Sequence, residues 1–189
     1  MDLLNENREL KTLKKVIGQL EKASIPYMLT GSMALNFYGH PRATNDFDIV
    51  IEISEKDIKK MVTLFEQDSY ISLEAVEAAI SQESMFNIID NESVFKIDFI
   101  IRKNDPLSLQ QFKRRQVKEF SGIKLNVISP EDLILAKLHW SRESLSEIQQ
   151  KDITNLMRVL SKKLDFIYLE KCAQYLGILE ELKKFYVSI

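Results

Sequence analysis

Apolar residues recur every three to four positions from Glu9 to Lys22, at Leu10, Leu13, Val16, Ile17 and Leu20, among charged and polar neighbours. That spacing predicts an amphipathic helix, ended by Pro26 just beyond it. Tyr27-Met28-Leu29 predicts a short buried strand stopped by Gly31. Ser32 can cap a short helix through Ala34, Leu35 and Phe37, broken at Gly39-His40-Pro41. The period then changes from helical to alternating. Between Asp46 and Ile53, Phe47, Ile49, Ile51 and Ile53 face one way, and Asp46, Asp48, Val50 and Glu52 the other. The pattern repeats from Val94 to Ile101, with Phe95, Ile97, Phe99 and Ile101 opposed to Lys96, Asp98 and Ile100.

Ser54 predicts a cap for a helix reaching about Gln67, with Ile58, Met61, Val62 and Phe65 inward. A short helix is expected over Leu73 to Ile80, a strand over Met85 to Ile89 and a helix over Leu107 to Arg115. Val117 to Phe120 and Lys124 to Ile128 flank Ser121-Gly122, a hairpin pattern. Ser129-Pro130-Glu131-Asp132 is a helix start: a cap, a proline at the first helical position and acids near the positive end of the dipole. Helices are expected over Pro130 to Arg142, Leu145 to Leu160, Phe166 to Leu176 and Ile178 to Tyr186. The fold class read from this order is α+β: a mixed central sheet flanked by helices in residues 1–128, with a C-terminal helical segment, residues 129–189, packed on that core.

Composition narrows the classes of function. The chain has 189 residues, 45% of them hydrophobic, and a net charge of -2. That suits a soluble domain with a real core and argues against disorder and against a generic polyanion binder. No apolar run approaches the roughly 20 residues that span a bilayer, and Met1 to Asn7 lacks the form of a secretory signal. Cys172 is the single cysteine, which excludes a disulfide framework or a multi-cysteine zinc site within one chain. A reducing, cytoplasmic location is expected.

Three features carry candidate chemistry. Thr30-Gly31-Ser32 stands at a strand-to-helix turn, where glycine lets a ligand approach the backbone and a helix start offers N–H groups to phosphate. Asp46 and Asp48 are two apart on one strand, so they share a face with Cα atoms about 6.6 Å apart and can converge on a hard cation such as Mg²⁺. Asp98 sits among apolar residues, where an ionised carboxylate needs a partner. That partner is either a metal shared with the first pair or Lys96 on the same face.

Together these residues resemble the nucleotidyltransferase superfamily, the DNA polymerase β-like fold. Leu29-Thr30-Gly31-Ser32, thirteen intervening residues, Asp46-Phe47-Asp48 and then Asp98 match its pattern of Gly-Ser, Asp-x-Asp and a third acid. The closer resemblance is to AbiEii-like toxins and uncharacterised bacterial nucleotidyltransferases, through Gly31-Ser32-x-Ala34-Leu35, His40 to Ile49, Ser129 to Leu133, Lys137-Leu138 and Arg142-Glu143 through Asp152. It implies a metal-dependent enzyme that moves an NMP from an NTP, such as ATP, to an acceptor hydroxyl. The favoured acceptors are a tRNA 3′ end or a protein side chain, and a role in a toxin–antitoxin pair is implied. Asp46, Asp48 and Asp98 would be catalytic and would hold Mg²⁺ or Mn²⁺. Gly31, Ser32, Arg42, Thr44 and Lys137 would bind the nucleotide. An antitoxin or a second copy of the chain is a candidate partner, and no membrane is implied.

Two other classes compete with this reading: a catalytically silent nucleotide-binding or protein-interaction domain, and a small-molecule nucleotidyltransferase of the aminoglycoside type. Lys137, in an apolar helix, either snorkels to solvent or meets an anion. Arg42 and Thr44 either orient a ligand or belong to a solvated loop. His40 reads as a solvated loop residue, His139-Trp140 as packing, and Cys172 as core. Lys113, Arg114, Arg115 and Lys118 read as a helix-end cluster that complements the dipole and aids solubility, the sharper alternative being contact with an RNA backbone.

Overall fold

The computed structural model describes residues 3–39, 44, 46–140 and 147–186. The elements run in the order α1 (Leu3–Lys22), β1 (Tyr27–Thr30), α2 (Gly31–Ala34) with a 3-10 turn over Leu35–Tyr38, and β2 (Asp46–Ile51). A second 3-10 turn, Glu55–Asp57, leads into α3 (Ile58–Phe65), β3 (Ser69–Tyr70), α4 (Leu73–Ser81), β4 (Met85–Asp90) and β5 (Lys96–Ile101). Next come α5 (Pro106–Lys113), β6 (Gln116–Phe120), β7 (Ile123–Val127), α6 (Pro130–Trp140), α7 (Glu147–Leu160), α8 (Phe166–Leu176) and α9 (Leu179–Lys183). Among the described residues the seven strands form one mixed sheet, ordered β3-β4-β5-β2-β1-β7-β6.

The α+β class holds, and helix-start chemistry explains most boundaries. Ser54 and Asp57 form a reciprocal capping box. Ser72 accepts from Ala75 N–H at the start of α4, and Asp105 caps α5 ahead of Pro106. Ser129 Oγ accepts from Asp132 N–H at 3.2 Å, as its sequence position predicts. Ser32 differs from expectation. It lies inside the first turn of α2, whose N-cap is Thr30 with no side-chain bond. Helix α2 has only four residues, so little dipole accumulates at its start. The strand Ser69–Tyr70 was not expected, because two residues carry no periodic signal. The hairpin forms as read, with Ser121 and Gly122 both at positive φ.

The register of the sheet places the site. β2 pairs in parallel with β5, Asp48 opposite Asp98, and antiparallel with β1, Thr30 opposite Asp48. β4 adds Asn87 opposite Asp98 and Met85 opposite Ile100. Directly paired residues share a face. One face therefore carries Leu29, Phe47, Ile49, Ile51, Phe86, Ile97 and Phe99, all buried. Helix α3 covers it through Phe65 on Phe99, ring centroids 5.4 Å apart, and Tyr27 reaches Glu21 of α1. The opposite face is built in rows: Lys96 and Asp46; then Asn87, Asp98, Asp48 and Thr30; then Met85, Ile100, Val50 and Met28. Helix α6 buries Leu133, Ile134, Leu135 and Leu138 beside those rows.

A buried polar network ties α6 to α5 and α8. Arg114 Nη2 donates to Glu131 Oε2 at 3.1 Å, and its guanidinium lies 3.8 Å from the centre of the Tyr168 ring. Asp132 accepts from Tyr168 OH at 2.6 Å and from Ser129 Oγ at 2.7 Å. Burial pushes the Asp132 carboxyl up, against the opposing pull of Tyr168, Ser129 and Arg114. Arg114 is thus a structural cation, where the sequence suggested a solvated helix end.

Candidate active site

Asp46, Asp48 and Asp98 all lie on the open face, in two adjacent rows. Gly31 closes on Asp48. Its φ is +63°, and a Cβ added there would stand 1.8 Å from Asp48 Oδ2. Only glycine lets the chain turn out of β1 while leaving the Asp48 carboxylate against the backbone. Thr44 Oγ1 donates to Asp46 Oδ1 at 2.6 Å, so the expected ligand-orienting residue here orients a carboxylate. Arg42 and His40 lie outside the described residues.

The charge balance is uneven. Lys96 Nζ lies 2.7 Å from Asp98 Oδ2, the same-face ion pair that the sequence allowed. Asp98 Oδ1 is buried and, among the described residues, has no hydrogen-bond partner. Burial, with the negative charge of Asp46 and Asp98, lifts the Asp48 carboxyl to about 6, despite Lys96 and Lys137. The Asp98 bond is the main influence raising the Lys96 ammonium. Among the described residues three carboxylates thus face one directly paired ammonium, Lys96, with Lys137 acting from further off, and one buried carboxylate oxygen is unmatched.

That donor set fits a hard divalent cation, which prefers carboxylate oxygens. The fit is incomplete in this conformation. Among the described residues no group of three or more His, Cys, Asp or Glu side chains already converges to hold a metal. The Lys96–Asp98 pair must open for Asp98 to offer both oxygens.

Lys137 does not snorkel to solvent: the anion it meets belongs to the chain itself. Its Nζ donates to Asp152 Oδ2 at 3.0 Å, and both side chains are almost fully buried. The pair joins α6 to α7 and leaves Lys137 on the wall of a cavity of about 240 Å³, together with Gly31, Ser32 and Asp48. Trp140 is a second departure. Read as packing, it is 71% exposed and lines that cavity and a neighbouring one. No periodicity argument finds it, because it ends α6, and the neighbours that would cover it come from other elements.

No protein-family profile and no curated protein matches this chain. Solved structures do. A lincosamide antibiotic adenylyltransferase, LnuA, bound to lincomycin, superposes with a TM-score of 0.56 at 16% identity, over 79% of this chain and 96% of that one. The enzyme ANT(2″)-Ia, in complex with adenylyl-2″-tobramycin, gives 0.57 at 11% identity, over 94% and 98%. A putative nucleotidyltransferase from Thermotoga maritima gives 0.51 at 19% identity, over 82% and 94%. At these identities the likeness establishes the fold. The chain has the nucleotidyltransferase fold.

Proposed function

We propose that this chain is a nucleotidyltransferase that moves an NMP from an NTP, ATP being the first to test, to an acceptor hydroxyl. The observation that carries it is the row of Asp48 and Asp98 beside Asp46, with the Gly31-Ser32 turn closed on Asp48 at the wall of one cavity, on this fold. Asp46, Asp48 and Asp98 would hold a divalent cation, Mg²⁺ or Mn²⁺, which when bound would neutralise charge on the phosphates.

The chain's own residues supply the rest. Gly31 and Ser32 present backbone N–H groups and a hydroxyl to the leaving phosphates. Lys137, fixed by Asp152, adds positive potential at the same wall. The acceptor oxygen attacks the α-phosphorus, the bond to the β-phosphate oxygen breaks, and pyrophosphate leaves. The acceptor proton passes to Asp98, whose Oδ1 is unmatched. Asp48 is held against Gly31 and so fixes the floor on which these groups meet.

A tRNA end or a protein side chain, with a toxin–antitoxin role, follows from the resemblance of the Asp46 loop to AbiEii-like proteins. A small-molecule acceptor draws support from the antibiotic-modifying proteins of the same fold. The silent-domain reading has one observation behind it, the Lys96–Asp98 pair.

The test is transfer from α-labelled NTPs, with Mg²⁺ or Mn²⁺, to total tRNA, to lysate protein and to the dialysable fraction of a lysate. Asp46→Ala and Asp48→Ala serve as controls. Label on an acceptor, lost in both variants with the fold intact, supports the proposal. Full activity in either variant would sink the assigned roles. A wild-type chain that binds no nucleotide in calorimetry would favour the silent reading.

A further inference from the structure

The third row of the open face, Met85, Ile100, Val50 and Met28, is apolar, and it lies one pleat repeat, about 7 Å, from the row of Asp48 and Asp98. A cavity of about 560 Å³ stands over part of it, between α5, α6 and α8. It shares Thr30, Ile100, Ala136 and Trp140 with the smaller cavity at Gly31 and Asp48. A molecule filling it therefore lies within reach of the acidic row. We infer that this second cavity is the acceptor chamber, and that it takes a small amphipathic molecule, neutral or singly anionic and bearing a hydroxyl, rather than a polycation or a polymer end. This rests on the nucleotidyl-transfer reading above.

Size is the first argument. About 560 Å³ falls within the roughly 300–1,000 Å³ of small-molecule sites. Two aromatic side chains, Trp140 and Tyr175, line it and remain 71% and 66% exposed. Exposed aromatic surface at a cavity wall is apolar area that an amphipathic ligand would cover.

Charge is the second argument. Among the described residues Asp105 is the single acidic one lining the cavity. Its carboxylate is already engaged, accepting from Leu107 N–H, Ser108 N–H and Ser108 Oγ as the cap of α5. Nothing else among the described residues of that wall would balance several ammonium groups, so an aminoglycoside-like polycation is a poor occupant. The lining cations are Arg102 and Lys103. Arg102 donates to Glu52 at 3.1 Å and to Lys103 O at 2.9 Å, which leaves little charge for a run of phosphates. A nucleic-acid end needs a row of such cations. Arg102 and Lys103, both on this wall, give the chamber its polar end.

Trp140 is the single tryptophan of the chain, so its emission reports this wall alone. The probe is anilinonaphthalene sulfonate, an anionic amphiphile, titrated into the full chain by energy transfer from Trp140 and by its own emission. One saturable site is expected, weakened at least tenfold by Gln111→Phe, which fills the chamber from α5. Tobramycin and an RNA hairpin ending in CCA should not displace the dye. Trp140→Phe, at an exposed position, should abolish energy transfer yet keep the dye's own signal. Where Gln111→Phe fails to fold, Ser108→Leu takes its place.

In the transfer assay, label should enter the dialysable fraction and be lost in the filled variant. The inference is overturned by the lack of a saturable dye site, by full affinity in a folded chamber-filling variant, by displacement with tobramycin or the hairpin, or by label entering RNA or protein. ATP calorimetry on the wild type keeps the two readings apart. Without ATP binding the transfer reading itself fails, whereas ATP binding with any of these outcomes refutes the chamber alone.

Discussion

Gly31→Ala tests whether the Asp48 carboxylate is seated against the backbone as the structure has it. Two costs add. The first is conformational: at φ +63° an L-residue costs about 1–2 kcal/mol. The second is contact. The new Cβ would stand 1.8 Å from Asp48 Oδ2, 2.6 Å from Cγ and 2.8 Å from Cβ, so the whole side chain must leave its place. Forcing it off its rotamer costs a further ~1 kcal/mol. The expected total is about 2–3 kcal/mol, a fall in Tm of roughly 4–12 °C for a chain of this size. Gly122→Ala is the control, because Gly122 has φ +77° and open space around it, so it carries the conformational cost alone. Urea unfolding of both variants isolates the contact cost by difference. Asp48→Ala in the Gly31→Ala background should recover part of that difference, since the two nearest atoms are then gone. Nucleotide transfer by Gly31→Ala should fall at least a hundredfold, because Asp48 is displaced. Equal unfolding midpoints for the two alanine variants, with transfer retained, would refute the seating of Asp48.

Removing one partner of the Lys137–Asp152 pair should cost about 3–5 kcal/mol by strandng a buried charge, so Lys137→Met should unfold early and Lys137→Met with Asp152→Leu should regain most of the loss, checked by urea unfolding. The same arithmetic applies to Arg114→Met, which leaves Glu131 and Asp132 without their shared cation; a loss under 1 kcal/mol would refute the network's structural role. Asp48→Asn, in chelator, should raise the melting temperature by relieving repulsion among the three acids, and unchanged melting would mean the acids already balance. Asp90 sets a pH dependence. Burial raises its carboxyl, but bonds from Lys15 and from Ser93 N–H and Oγ more than reverse this and leave it below the ordinary value. Its contribution is therefore complete above the unfolded carboxyl's value near 4 and fades as pH falls through the lower folded value. Asp90→Asn should lose stability at pH 7 and show a flatter acid limb than wild type, measured by thermal melts from pH 2 to 7.

The strands and their faces were legible because period two is a strong signal when both faces are distinct. Phe47, Ile49 and Ile51 went to the core and Asp46, Asp48 and Val50 to the open face as read. The resemblance carried by Gly31-Ser32, Asp46-x-Asp48 and Asp98 found the fold, though no family profile matches. Long-range pairings were not legible. Nothing local in Lys137 selects Asp152 fifteen residues away, and nothing in Arg114 selects Glu131 and Tyr168. Helix α6 misled for a related reason. Its residues are apolar nearly all round, so periodicity could not say which of Lys137, His139 or Trp140 would be enclosed.

One consequence of the pleat joins these strands of reasoning. A strand two residues per row must alternate faces, but it need not keep one chemistry along a face. On β2 the open face reads Asp46, Asp48, Val50, and on β5 Lys96, Asp98, Ile100, so parallel pairing aligns acid with acid and then apolar with apolar. The two cavities meet where the rows meet: Thr30 of one row and Ile100 of the next line both, Asp48 lines only the smaller, and Met28 and Val50 only the larger. A one-residue slip of β5 would carry Asp98 to the core face and Ile97 or Phe99 to the open one, destroying row and chamber together. The buried face, with Phe99 between Phe65 and Phe86, opposes that slip. The packing that stabilises the sheet is therefore also what sets the acids beside the chamber.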